Sequence, residues 1–329
     1  MDTRMPYERI TREVFERKAA KTDPKYGSDP YARDIETHQK FGIICINKPK
    51  GPTSHQVSAY TRQILSLNKT GHSGTLDPKV TGVLPVALGR ATRIVQTLLP
   101  AGKEYVCLMH LHKEAKEEKI RSAMESFVGK IRQLPPIKSS VKRQWRYRKI
   151  YYIKILDIQE KDVLFRVGCQ AGTYIRKLCT DIGDKIGTSA HMAELIRTKA
   201  GPFTEDEMYS LQELRDAVEY AKEGNEKFLR SCIKPIEYAV THLPKVWVLD
   251  STIEPVCHGT NLATPGIASV ESDIQLEDTV AIMSLKNELV AIGSASMISK
   301  DMLRTEKGIA VQTHKVFMEP GTYPRLTGL

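Results

Sequence analysis

The residues best suited to chemistry lie between Thr70 and Pro85, in the run TGHSGTLDPKVTGVLP. It presents one carboxylate, Asp77, between Leu76 and Pro78, with glycines at 71, 74 and 82. Glycine lets backbone turn tightly or approach another chain closely. Pro78 biases Asp77 toward extended geometry. The run therefore reads as a stiff loop holding one carboxylate, anchored by the apolar segment Val83 to Leu88. Such a carboxylate suits nucleophilic or electrostatic catalysis. On local chemistry alone the same residues also spell an ordinary Asx turn, since Asp-Pro is a common turn pair.

A second concentration is electrostatic. The chain has 49 basic and 39 acidic residues, a net charge of +10. Residues 130–154 alone hold nine cations (Lys130, Arg132, Lys138, Lys142, Arg143, Arg146, Arg148, Lys149, Lys154) and no anion. Trp145, Tyr147, Tyr151 and Tyr152 are interleaved with them. Concentrated cations mark a phosphate-binding face, and rings among them offer stacking surfaces for RNA bases. A solvated charged hairpin would leave these nine charges repelling one another.

The elements around these residues follow from pattern. FGIICI (41–46) is a short apolar run, read as a buried strand. Thr53 and Ser54 cap an expected helix from His55 to Leu65, with Val57, Tyr60, Ile64 and Leu65 on one stripe. Lys103 to Leu111 reads as a strand and Lys119 to Phe127 as a helix. Leu134-Pro135-Pro136-Ile137 leads into an expected exposed loop, KSSVKRQWRYRK (138–149). Tyr151–Ile158 and Val163–Gly168 form a hairpin, and Thr173 is the expected N-cap of a helix running to Ile186. Arg176 then falls in that helix's first turn, where the dipole disfavours a cation unless it has a partner. Leu195 to Phe203 reads as a further basic loop, followed by helix from Ser210 to Ile233.

Length fits two domains, and composition is that of a folded soluble protein. The expected division is an N-terminal arm over 1–40, a catalytic domain over 41–245 and a β-rich module over 246–329, after the His242-Leu243-Pro244 break. Within the arm, one short helix is expected near Ile10–Ala19. No apolar run approaches the ~20 residues that span a bilayer, and the N-terminus lacks a signal peptide's apolar core, so a cytoplasmic location is expected. The six cysteines show no metal-ligand spacing, which predicts buried thiols and no metal.

With these residues in view, the chain resembles the TruB-like pseudouridine synthases, most closely the archaeal and eukaryotic H/ACA branch that includes dyskerin. The resemblance rests on INKPKGPTSHQV (46–57), GHSGTLDPKVTGVLPVALGRATR (71–93), AGKEYV (101–106), PPIKSSVKR (135–143), AGTYIRKLC (171–179) and HMAELIRTKAGPF (191–203). HGTNLATPG (258–266) and DTVAIM (278–283) resemble a PUA domain. Trp145, Tyr147 and the Ser139-Ser140 pair depart from the branch's usual residues in the RNA-gripping loop.

The resemblance implies an α+β pseudouridine synthase fold, a mixed, mainly antiparallel sheet with flanking helices and a central cleft, plus a small β-rich PUA domain on which the arm packs. It implies uridine-to-pseudouridine isomerisation in ribosomal RNA, with tRNA as a second candidate substrate, and no cofactor. It makes Asp77 the catalytic carboxylate, Arg176 its ion-pair partner and Tyr105 the ring that stacks on the target base. Tyr174 and Leu195 become pocket walls, Lys48 a support behind the loop, and His72 a residue of base extrusion. RNA contacts fall to Lys138, Lys142, Arg143, Arg146, Arg148 and Lys149, and to His258 and Gly259 in the PUA module. Its partners would be an H/ACA guide RNA and three small proteins: zinc-ribbon-like, β-barrel and kink-turn-binding. The absence of Lys-rich tails points to the archaeal form. A stand-alone tRNA T-loop synthase and a non-catalytic RNA scaffold are the rival readings; Asp77, Tyr105 and Arg176 together weigh against the scaffold.

Overall fold

The computed structural model describes residues 2–135 and 142–324. Within them the strands form two sheets, of ten and seven strands. The larger sheet runs Ile233–Pro235, Gly42–Lys48, Thr81–Leu88, Ala190–Ala200, Lys103–Leu111, Asp162–Cys169, Arg146–Gln159, Gly129–Gln133, with two short strands off this path. Its pairings are antiparallel except where Thr81 and Gly82 lie parallel to Ile196 and Arg197. That junction is possible because Gly82 has φ +102 and no side chain: a Cβ there would meet the Arg197 carbonyl at 2.2 Å.

Sequence and structure agree where the hydrophobic pattern is long. The Lys103–Leu111 strand is present as such, and the Ser54–Ile64 helix starts from a Thr53 N-cap reinforced by Gln56. Several expectations are corrected. The helix expected near Ile10–Ala19 is absent; Val14–Glu16 is a strand pairing with Ile267–Glu271, a place its β-branched and aromatic residues favour once a sheet edge is available. The basic loop expected over 195–203 is mostly the central strand Ala190–Ala200. The loop expected through Lys149 is already strand from Arg146, paired with Gly129–Gln133. The helix from Ile175 is capped by Tyr174, while the Thr173 hydroxyl donates back to the Gln170 carbonyl at 2.6 Å. The helix expected over 210–233 is two, Leu211–Lys222 and Lys227–Cys232.

The two sheets share a core. Ala281, Met283, Leu289, Ile292 and Phe317 are buried in one cluster with Ile43, Val83, Ile236 and Val240. The arm spans both units. Arg17 donates to the Met302 and Leu303 carbonyls at 2.7 and 2.8 Å, and Lys286 reaches the arm's Asp23 carbonyl at 3.0 Å. At its other end Met5 is fully buried and Glu8 pairs with Lys199 of the Ala190–Ala200 strand at 2.7 Å.

Candidate active site

The Asp77 loop is fastened at its flanks and open at its tip. Leu76 and Val80 are buried. Ser54 Oγ accepts from the Leu76 amide at 2.8 Å and donates to its carbonyl at 3.2 Å. The Gly51 amide donates to the Pro78 carbonyl, and the Val80 amide to that of Asp77, each at 2.9 Å. Lys48 is wholly buried beneath, its Nζ donating to the carbonyls of Pro49, Pro78 and Val80 at 2.9, 3.1 and 2.8 Å. Burial, then the nearby Arg197 charge, lowers the Lys48 pKa, which Asp77 partly offsets. Three carbonyl acceptors make this ammonium a rivet for the loop.

Opposite the tip, Arg176 Nη2 donates to Asp77 Oδ2 at 2.5 Å. Arg176 is the second residue of the Ile175–Ile186 helix, so the misplaced cation has its partner. The start of that helix is fixed by Gln133, whose side chain accepts from the Tyr174 amide at 3.0 Å and donates to its carbonyl at 3.2 Å. The helix packs on the sheet through Leu178, Cys179 and Ile182, with Cys179 Sγ 3.5 Å from Cys107 Sγ.

Tyr105 and Leu195 meet on that same sheet face. Tyr105 lies opposite Arg197, and Cys107 opposite Leu195, so these side chains project to one side. Burial around the Tyr105 hydroxyl pushes its pKa up to about 12, with the nearby Arg197 guanidinium acting the other way. The phenol is therefore a neutral ring, suited to stacking.

Sequence reasoning does not single out Arg197. It is 1% exposed, and its Nε donates to the Val83 carbonyl at 2.6 Å while Nη2 reaches that of Gly74 at 3.5 Å. Burial lowers its pKa, with Tyr105 opposing that shift. It thus ties the Tyr105 strand to both ends of the Asp77 loop. Lys103, two residues before Tyr105, is a second buried cation: its Nζ donates to the Leu98, Leu99 and Ala101 carbonyls at 3.0, 2.9 and 2.6 Å. The only sequence signal for either is a cation at an inward-facing strand position.

The remaining residues lie further out. His72 is half-buried, edge-on to His55 at 4.8 Å between ring centroids, and burial lowers its pKa. Lys142, Arg143 and Lys149 are exposed. Arg148 lies against Gly172, beside the start of the Arg176 helix, and Arg146 donates to the Lys142 carbonyl at 3.3 Å. Lys138 lies outside the described residues. His258 and Gly259 belong to the other unit, at the end of the Asp250–Cys257 helix, with His258 Nε2 2.9 Å from Glu254 Oε1. The structure thus pairs Asp77 with Arg176, sets Lys48 beneath the Asp77 loop, and places Tyr105 and Leu195 against the core on which the Arg176 helix packs, while His258 and Gly259 lie in the other unit.

Comparison with known proteins places this geometry. Sequence models match for the TruB family pseudouridylate synthase N-terminal domain over residues 62–175 and for the tRNA pseudouridylate synthase B C-terminal domain over 176–241. A PUA domain matches over 244–317 and a DKCLD domain over 5–58. A probable tRNA pseudouridine synthase B of Methanothermobacter thermautotrophicus is 54% identical over 95% of this chain and 97% of its own length. The protein of that name from Thermococcus onnurineus is 56% identical, with 96% of each chain covered. Among solved structures, the matching chain of a Cbf5-Nop10-Gar1 complex superposes with TM-score 0.94 at 54% identity, covering 98% of this chain and 99% of that one. The chain from an H/ACA RNP bound to a substrate RNA containing 2'-deoxyuridine gives TM-score 0.93 at 52% identity, covering 98% and 100%.

Proposed function

This chain belongs to the TruB family of pseudouridylate synthases, and we propose that it is the catalytic subunit of a guide-directed H/ACA ribonucleoprotein that isomerises uridine in ribosomal RNA. The observation that carries the reading is the Asp77–Arg176 pair at 2.5 Å, held on a riveted loop beside Tyr105. In the proposed mechanism the target uridine leaves its stack and its base lies on the Tyr105 ring, because the glycosidic bond is out of reach within a helix. Tyr174 and Leu195 wall the pocket. The Asp77 carboxylate meets the developing positive charge of the sugar as uracil detaches, and Arg176 holds it aimed. Lys48 and Arg197 fix the loop, and His72 assists base extrusion.

The guide reading draws on the solved relatives, whose complexes contain Nop10, Gar1 and substrate RNA. Partners of the zinc-ribbon, β-barrel and kink-turn-binding types follow from it. The basic strand supplies backbone affinity without sequence information, so base pairing with a guide would choose the site. A second reading, a stand-alone synthase acting on the tRNA T-loop, is favoured by the names of the curated relatives. The test is to reconstitute the chain with guide and partners, exchange the guide's pairing arms and map the modified uridine. Movement of the site with the arms is expected; a fixed site would replace the guided reading with the stand-alone one.

A further inference from the structure

At the free edge of the ten-stranded sheet, away from the Asp77 loop, a cavity of about 320 Å³ opens between the Gly129–Gln133 strand and the Arg176 helix. Its lining includes Lys130, Arg132, Trp145, Phe127, Lys177 and Asp181. That volume is at the lower end of small-ligand pockets, about 300–1,000 Å³. Trp145 is 55% exposed, and the Arg132 guanidinium sits 4.4 Å from its ring centroid. Lys130 lies 4.2 Å from the centroid of Tyr147, which is 58% exposed. Asp181 is already paired with Lys177, so the charge left to meet a ligand is that of Lys130 and Arg132.

A surface cation–ring pair can be no more than a brace for its hairpin, contributing about 0.5–1 kcal/mol. Here two such pairs stand side by side on the Gly129–Gln133 strand, and Lys130, Arg132 and Trp145 line the hollow, inside a segment with nine cations and no anion. The Arg176 helix links this hollow to the cleft. Successive helix residues diverge by about 100°, so Arg176 turns to Asp77 while Lys177 lines the cavity.

We propose that this cavity is a subsite for one unpaired RNA nucleotide outside the catalytic pocket, its base stacked on Trp145 and its phosphate held by Lys130 and Arg132. The proposal rests on the RNA-modifying reading above and adds a base-stacking contact to it. Charge favours RNA over a protein as the occupant, since a peptide would have to be strongly acidic to satisfy this segment.

A uridine hexanucleotide titrated into the full chain tests it. Tryptophan fluorescence should be quenched in the wild type, and that quenching should vanish in Trp145→Phe, which keeps a ring and most of the affinity. Trp145→Ala should weaken binding about 5- to 160-fold, the loss of one stacked base, without changing the slope of log affinity against log salt. Lys130→Gln with Arg132→Gln, which frees that one phosphate, should lower that slope by about 0.7. Unchanged affinity with no Trp145-dependent quenching overturns the subsite. So does a Trp145→Ala chain that binds RNA normally but no longer binds the partner proteins, which would make the patch a protein-docking surface. Trp145-dependent RNA binding by a chain that forms no pseudouridine would retain the subsite and remove the functional reading, so the two fail separately.

Discussion

Arg176 Nη2 lies 2.5 Å from Asp77 Oδ2 although the two side chains are 57% and 55% exposed and 99 positions apart in the chain. An ion pair so open to water stabilises a fold by about 0–1 kcal/mol. Stability therefore does not account for it, whereas a carboxylate kept aimed by its partner does.

Asp77→Asn should abolish product formation while leaving RNA affinity within a few-fold, because the phosphate backbone dominates binding. Arg176→Ala should be nearly inactive, and Arg176→Lys impaired for want of the planar fork. Tritium release from uridine-labelled RNA measures both; appreciable turnover by the Asn variant would remove Asp77 from the chemistry.

Gly82→Ala should lose both stability and activity. The new Cβ would stand 2.2 Å from the Arg197 carbonyl, at φ +102. Relief requires the parallel junction to part, at about 3 kcal/mol or more. It also shifts Arg197, which holds the loop through Val83 and Gly74. Chemical unfolding and turnover should fall together; normal activity in this variant would show that the junction does not position the loop.

His242 should make the fold acid-sensitive. Burial, then the charges of Lys245, Lys103 and Arg12, lowers its pKa from 6.5 to about 4. Between these values the unfolded chain binds a proton that the folded chain refuses, so stability present above pH 6.5 is lost as pH falls toward 4. The loss amounts to about 3 kcal/mol. Urea midpoints at pH 7 and pH 5 should differ more for the wild type than for His242→Gln. Equal differences would assign the acid sensitivity to other groups.

Changing Lys142, Arg143, Arg146 and Arg148 together to Gln should weaken RNA binding and flatten its salt dependence. Every phosphate that no longer meets a cation takes about 0.7 off the slope on single strands. Affinity measured across a salt series reads this directly, and an unchanged slope would return the segment to plain solvated surface.

The sequence by itself determined a suspect carboxylate, a concentrated basic segment and the elements with strong local signals. Asp77 stands out because Gly and Pro frame it, and Arg176 because a cation in a helix's first turn wants a partner, whereas Tyr105 is singled out by the family resemblance alone. The Ser54–Ile64 helix and the Lys103–Leu111 strand were legible because cap and apolar pattern agree over many residues. Tertiary structure alone decided the rest. Val14–Glu16 is a strand only because the Ile267–Glu271 edge receives it. The Leu195–Phe203 segment reads as a basic loop until its neighbours draw most of it into the Ala190–Ala200 strand and bury Arg197 among carbonyls of the Asp77 loop. Nothing local tells a buried Arg or Lys from a solvated one, since the acceptors that stabilise it come from residues far away in sequence.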